Sequence, residues 1–354
     1  MAEFAASEMV AGLEENLFSL LEKQAAQFDD PHLPLIDLSS GSPRQPTPPG
    51  IIASLQAAAA QPENHEYPSF WGKPELRRAI ADFYQRQYGV TLDPDSEIAV
   101  FQGAHIAVNG LPRALLNPGQ VLISTDLCYP LYRSAARQAN ADFYGIPLEA
   151  SNAFLPDFNA IPAPIAARAG LLLLNYPHNP TGALATPALF AAALAFARQH
   201  HVPLVHDFAY ATLGSQRGEQ PIIAAFKKLH THSYSTVYGA VQDAAITALG
   251  LPSEQIAQLT ECWHQRRVQV LAKLARLRWP VPSRQGTFFL WLATPSGMTG
   301  KQFAALLLEQ AHLLVAPGEG FGPAGQHYIR ISLTAETDLI MRALDRVAAL
   351  KLFG

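Results

Sequence analysis

Charge is scarce in this chain. Charged residues make up 15% of its 354 positions, and no run of lysine and arginine occurs. With a formal net charge of −4, nothing points to nucleic acid or an anionic membrane as a partner. Cysteine is almost absent. Cys128 and Cys262 are far apart, match no metal-ligand spacing, and read as buried thiols in a reducing cytosol. Long apolar runs are missing too. Stretches such as Leu171 to Leu174 fall far short of the roughly 20 residues that cross a bilayer. The opening MAEFAASEMVAGLEENLF carries acids where an export signal carries basic residues, so the expected location is cytoplasmic. What is present is a globular composition, with 49% hydrophobic residues and a mean hydropathy of +0.06. The length suits one large domain and a smaller one.

Periodicity organises the chain. Ser7 to Phe28 reads as an amphipathic helix with Leu13, Leu17, Leu20 and Leu21 on one side. IDLSSGSPRQPTPPG (36–50) reads as loop. Glu75 to Tyr88 reads as a helix that buries Ile80, Phe83 and Tyr84. Strands at 97–102, 120–125, 170–175 and 202–207 then alternate with helices reaching Leu116, from Tyr129 to Ala139, and from Pro187 to His200. Continuous apolar strands alternating with helices predict a parallel sheet covered on both faces. The last third reads as a smaller α+β unit. It has helices Ser253–Leu277, Lys301–Ala311 and Ala335–Leu350, and strands 287–293 and 327–333.

In open α/β sheets, ligands sit beyond the carboxyl ends of the strands. Residues 97–102 run into Gly103, Ala104 and His105, where a helix N-terminus can approach a phosphate. An ordinary strand-to-helix turn has the same pattern. The 170–175 strand runs into Asn175-Tyr176-Pro177-His178-Asn179-Pro180-Thr181-Gly182, whose X-Pro steps force an irregular turn that presents Asn179. Asp207 ends the next strand, as a partner for a protonated ring nitrogen or as a helix N-cap. Tyr210, three residues on, can donate to a ring oxygen. Arg330 lies between Ile329 and Ile331, where a guanidinium needs either a carboxylate ligand or a structural ion pair. Tyr129 stacks on a planar ring or fills the core. Tyr67, in NHEYPSFWG, reaches outward from an irregular loop or is a plain surface tyrosine.

Taken together, IDLSSGSPRQPTPP, PENHEYPSFWGKPELRRAIADFY, CYPLY, NYPHNPTGALAT, VHDFAY, YGAVQDAA, GTFFLWL, APGEGFG and YIRISLT resemble the fold-type-I, class I/II pyridoxal-phosphate (PLP) aminotransferases. The resemblance covers nearly the whole chain. It is strongest to LL-diaminopimelate aminotransferases and the methionine-salvage transaminases of bacilli. It implies an α/β fold with a mostly parallel sheet between helices, plus a second, smaller α+β domain. The large PLP-binding domain would span 45–250, and residues 1–44 with 251–354 would form the small one. The implied reaction moves an amino group between a 2-amino acid and a 2-oxo acid, in a homodimer, with pyridoxal 5'-phosphate as cofactor. Gly103, Ala104 and His105 would hold its phosphate through their backbone, and Tyr129 would stack on its ring. Asn179 and Tyr210 would bond the ring hydroxyl oxygen, and Asp207 the pyridine nitrogen. Arg330 would bind the substrate carboxylate, helped by Asn179 and the backbone of Gly41. Tyr67 would reach the phosphate of the neighbouring subunit.

One stretch departs from the family. After HDFAY the resemblance calls for a strand ending in Ser-x-Ser-Lys, whose lysine forms the Schiff base, and then a glycine-rich strand with a phosphate-binding arginine. Here HDFAYATLGSQRGEQP runs to Pro221 and continues as IIAAFKKLHTHSYSTVYGAVQDAA, which resembles sequence well downstream of the lysine. The reading is a deletion near 221–222. Aligning HSYST (232–236) with the lysine motif instead puts Thr236 in the lysine's place. Either way no Schiff-base lysine is found, and Lys227 and Lys228 read as solvent-facing. The lysine is both nucleophile and general base in this chemistry, so its loss puts turnover in question. The functional readings are therefore an aminotransferase by descent, a PLP-binding pseudoenzyme or dimer partner, or a degenerate deleted gene product. A carbon–sulfur lyase and a PLP-domain regulator are weaker readings.

Overall fold

The apolar runs in the middle of the chain form a parallel sheet, as their continuity predicts. The structure is a computed structural model that describes residues 5–28, 30–213, 237–281 and 286–353. Its helices are α1 (Glu8–Ala11), α2 (Leu17–Ala25), α3 (Pro49–Ala59), α4 (Pro74–Tyr88), α5 (Ala104–Leu115) and α6 (Leu131–Gln138). They continue with α7 (Ala163–Ala166), α8 (Pro187–His200), α9 (Gly239–Leu249), α10 (Ser253–Arg276), α11 (Gly300–Ala311) and α12 (Thr337–Ala349). The strands are β1 (Ile36–Asp37), β2 (Val121–Thr125), β3 (Asp142–Ile146), β4 (Ala169–Asn175) and β5 (Leu204–Asp207). Four more follow, namely β6 (Phe289–Ala293), β7 (Leu313–Leu314), β8 (Ala316–Pro317) and β9 (Tyr328–Ser332).

The central sheet has the order β3-β2-β4-β5, and every pair is parallel. β2 is buried along its whole length and β4 beyond its first residue, because helices cover both faces. β5 is half-buried throughout. The register of β4 and β5 sets Asn175 beside Asp207 at their carboxyl ends. A second sheet, β6-β9-β8, is antiparallel and pairs Trp291 with Arg330. It packs against α10, α11 and α12 in a core that includes Phe289, Leu290, Phe303 and Ile340. β1 pairs with β7, and Ser332 N then donates to Leu38 O at 2.7 Å, which carries the chain after β1 alongside β9.

Several expectations need correction. Ser7–Phe28 is two helices. Gly12 caps α1, and Asn16 starts α2 by accepting from Phe18 N (2.9 Å) and Ser19 N (3.2 Å). Leu20 is 38% exposed, so Leu21 carries the burial of α2. On α4, Leu76 is the buried residue, and Ile80, Phe83 and Tyr84 are half-buried. Residues 97–102 bury Ile98 and Val100 in strand-like alternation but join no ladder among the described residues. Alternation shows which face is buried, whereas a strand also needs a neighbour to pair with. Ile36–Asp37, read as loop, is β1. Helices α3 and α9 and edge strand β3 were not anticipated. α3 begins at a proline suited to a first helical turn. Cys128 is buried as expected, and burial pushes its thiol up to about 12. Cys262 is only half-buried and accepts from Gln45 Nε2 at 2.8 Å.

Among the described residues no helix is long and apolar enough to cross a membrane. None of their His, Cys, Asp and Glu side chains group as metal ligands.

Candidate active site

A cavity of about 650 Å³ opens at the carboxyl ends of β4 and β5. The polar groups on its wall include Gly41, His105, Asn179, Asp207, Tyr210 and Arg330, together with Tyr129 and Asn175. Chain segments far apart in sequence meet here because the sheet ends present them side by side.

Asn175 ties the two strand ends to the following loop. Its Nδ2 donates to Asp207 O at 2.8 Å, and its Oδ1 accepts from Asn179 N at 2.9 Å. The loop contains cis peptides before Pro177 and Pro180. Beneath it lies His178, fully buried. Its Nδ1 is 2.7 Å from Thr181 Oγ1, and its Nε2 is 3.1 Å from Leu127 O. Burial pulls this imidazole down to about 3, so it is neutral at any working pH. The loop is thereby braced from below while Asn179 faces the cavity.

Asp207 does more than cap. Its Oδ2 accepts from Tyr132 Oη at 2.7 Å, and its Oδ1 from Ala209 N at 3.3 Å. Burial, and then the Asp207 charge, hold the Tyr132 phenol well above its ordinary pKa, so it remains a donor. Tyr210 is pushed up to about 12, chiefly by burial, and is also protonated at neutral pH. Its ring meets Phe288 and Phe289 edge-on, with centroids 5.6 and 5.8 Å away.

Arg330 is 1% exposed. One outer nitrogen donates to Asn179 Oδ1 at 2.9 Å and the other to Ser39 O at 2.8 Å, while Nε has no partner. Phe289, Phe321 and Phe18 surround the guanidinium, with ring centroids 3.9, 4.7 and 5.3 Å from Cζ. Burial draws its pKa down to about 10, which leaves it charged at neutral pH. No ion pair to it occurs among the described residues. A buried cation without a carboxylate is costly unless an anion arrives, and the cavity is where one can arrive.

Helix α5 starts at this cavity with Ala104 and His105 on its wall. Gly103 takes φ +95° at its N-cap, and no side chain caps the helix, so its first N–H groups are available to an anion. His105 Nδ1 lies 3.3 Å from Tyr129 Oη. Tyr129 packs edge-on against His105 and Tyr132 rather than parallel to another ring. A Cβ at Gly41 would sit 2.8 Å from Phe289 Cζ, so the aromatic packing beside Arg330 demands glycine there. Tyr67 is 99% exposed and not on the cavity wall.

The residues missed from sequence are Tyr132, Asn175, Ser39, Phe18 and Phe289. Asn175 stood in the strand-end string and Tyr132 one helical turn after Tyr129. The backbone carbonyl of Ser39 and the aromatic cage had no signal in the sequence. None of Lys23, Lys73, Lys273, Lys301 and Lys351 lines the cavity. Lys23, Lys73 and Lys273 are paired with Glu15, Asp243 and Asp345. Residues 221–222, Lys227, Lys228 and Thr236 lie outside the described residues.

The family model for aminotransferase class I and II matches residues 34–221 and 212–347. LL-diaminopimelate aminotransferase of Aquifex aeolicus is 32% identical over 386 aligned positions, covering 99% of this chain and 100% of that protein. L-glutamine--4-(methylsulfanyl)-2-oxobutanoate aminotransferase of Bacillus subtilis is 34% identical over 389 positions, covering 99% and 98%. The substrate-bound structure of BacF from Bacillus subtilis superposes with a TM-score of 0.93 at 33% identity, covering 100% of this chain and 99% of that one.

Proposed function

Because this chain belongs to the class I and II aminotransferases, a family that uses pyridoxal phosphate, we propose that its cavity holds that cofactor and a 2-amino or 2-oxo acid, but that the chain lacks the cofactor-bonding lysine. The observation that carries the binding half is Arg330, a buried guanidinium without a carboxylate partner among the described residues. The donor set fits the cofactor. The uncapped α5 N-terminus at Gly103, Ala104 and His105 suits a phosphate, Asp207 a protonated pyridine nitrogen, and Tyr210 and Asn179 a ring hydroxyl oxygen. Tyr129 would pack on the ring, and Gly41 would leave room for the substrate carboxylate at Arg330.

When bound, the cofactor supplies an electron sink for charge that develops on the substrate α-carbon. The chain's own residues orient and hold. Arg330 grips the carboxylate, Asp207 keeps the ring nitrogen protonated, and Tyr210, itself protonated, donates to ring oxygen. No lysine among the described residues lines the cavity, and without the amine that serves as both nucleophile and general base turnover is limited.

Two observations support the missing lysine segment. The match to the Aquifex enzyme spans 386 positions against 354 residues here, so that relative has residues this chain lacks. The family match breaks into two pieces that meet at 212–221. The proposed division is a large domain at 45–250 and a small domain formed by 1–44 with 251–354. A homodimer would bring the exposed Tyr67 of one subunit to the other's phosphate site.

Borohydride treatment of the protein with pyridoxal phosphate, followed by intact mass and peptide mapping, tests the reading. The expected result is no stoichiometric lysine adduct and no donor-dependent transamination above free cofactor. A single trapped lysine, with Lys227 and Lys228 the first candidates, would restore the full aminotransferase reading.

A further inference from the structure

Helix α2 turns one stripe toward the cavity. Phe18, Leu21, Glu22 and Ala25 all line it, at the three- and four-residue spacing of a single helical face. Three of the four are apolar, and Leu21 is buried. Glu22 is the exception. An exposed glutamate on a helix is ordinarily only solvated, on the face turned outward, but this one stands in the stripe that faces the site. Its side chain has no hydrogen bond or ion pair among the described residues, and Lys23 beside it is taken by Glu15. The other two carboxylates of the wall are engaged. Asp37 Oδ1 accepts from Ser39 N at 2.8 Å and from Ser39 Oγ at 2.7 Å, and Asp207 accepts from Tyr132. Phe18, one turn earlier on the stripe, has its ring 5.3 Å from Arg330 Cζ. The stripe thus passes from the buried guanidinium to an exposed carboxylate one helical turn on.

We propose that Glu22 sets the side-chain preference of the site, favouring a 2-amino or 2-oxo acid whose far end is an ammonium and disfavouring one whose far end is a carboxylate. This rests on the assignment of the substrate carboxylate to Arg330 above. The charges then fall in order along the wall. Arg330 takes one carboxylate deep in the cavity. Among the described wall residues it is the only arginine or lysine, so a second carboxylate finds no guanidinium or ammonium of its own and meets Glu22 instead. An ammonium on a flexible four-carbon stem reaches outward to Glu22 while the stem lies along Phe18 and Leu21. Because Glu22 is exposed, water and salt screen the pair, and the preference is a matter of severalfold rather than an absolute choice.

Hexanoate, 6-aminohexanoate and adipate are straight-chain acids of equal length that differ only at the far end. Protein loaded with pyridoxamine phosphate presents no aldehyde, so the amine of 6-aminohexanoate binds without reacting, and calorimetry at low salt gives all three affinities. Glu22→Gln should lower the affinity for 6-aminohexanoate relative to hexanoate about twofold to fivefold, the upper range of an exposed ion pair. The same variant should raise adipate relative to hexanoate. Glu22→Lys should move both ratios further in the same directions, and the shifts should shrink at high salt. Glu22 is exposed and its side chain has no partner among the described residues, so both variants should melt as the wild type does. Ratios that survive Glu22→Gln and Glu22→Lys would overturn the role of Glu22 while leaving the Arg330 site standing. Failure of the wild type to take up pyridoxamine phosphate, or to bind any of the acids, would overturn the site reading and this inference together.

Discussion

Replacing Arg330 with lysine keeps the charge and removes the fork. The guanidinium has five N–H donors. One is spent on Asn179 Oδ1 and one on Ser39 O. Three remain, enough for two bonds to a carboxylate. An ammonium has three donors on one atom, so holding Asn179 and Ser39 leaves it one. The variant therefore loses one charge-assisted bond, about 1.5–3 kcal/mol or roughly ten- to 150-fold in affinity. Arg330→Met loses both bonds, about 3–6 kcal/mol in all, and leaves Asn179 and Ser39 without their donors. Calorimetric titration of a small 2-oxo acid into the cofactor-loaded protein measures both. Because burial brings Arg330 down to about 10, wild-type affinity should stay level from pH 7 to about 9 and fall above about 10 as the bound proton is lost. A lysine variant within threefold of the wild type, or a methionine variant that still saturates, would refute the assignment of Arg330 to the carboxylate.

Acid should destabilise the fold through His178. Its folded pKa of about 3 lies below the unfolded value of about 6.5, so between them the unfolded chain holds a proton that the folded chain does not. Stability then falls as pH drops through that window, by up to about 1.4 kcal/mol per pH unit. His178→Gln should flatten the pH dependence of the urea midpoint, with a residual slope because His206 is shifted the same way. Gly322→Ala should cost at least about 1–3 kcal/mol by denaturant unfolding, since φ is +144° and a Cβ would lie 2.0 Å from Asp126 O. Phe303→Ala, at a fully buried position, should lower stability by about 3–5 kcal/mol in the same assay.

The parts of the cavity wall readable in advance are polar residues at the end of, or inside, apolar strands, where few physical uses are open to them. Asp207 after VPLVH and Asn179 in the proline-braced loop are such cases, and so is Arg330 inside an apolar strand. β2 and β4 were legible because their continuous apolar runs matched their burial, and α8 because its helical run from Pro187 to His200 is the one observed. Residues 97–102 show the limit of periodicity, which read the burial of Ile98 and Val100 but not which strand lies beside them. The break in α1–α2 was legible in principle, from Gly12 followed by Asn16, but the leucine spacing on either side masked it.

Local pattern and strand-end chemistry pointed from sequence to an α/β chain with a site beyond β4 and β5, and the family was legible only as a resemblance carried by strings such as NYPHNPTGALAT and VHDFAY. The proposed gap after HDFAY was likewise a reading of order along the chain. The rest needed three dimensions. That the Ser39 carbonyl accepts from Arg330, that three phenylalanines cage the guanidinium, and that Tyr132 reaches Asp207 all depend on β1, β9 and α6 being packed around one cavity. These contacts join residues up to 291 positions apart. No local pattern encodes such a meeting, which arises when apolar faces are buried together and the polar groups at their edges find partners.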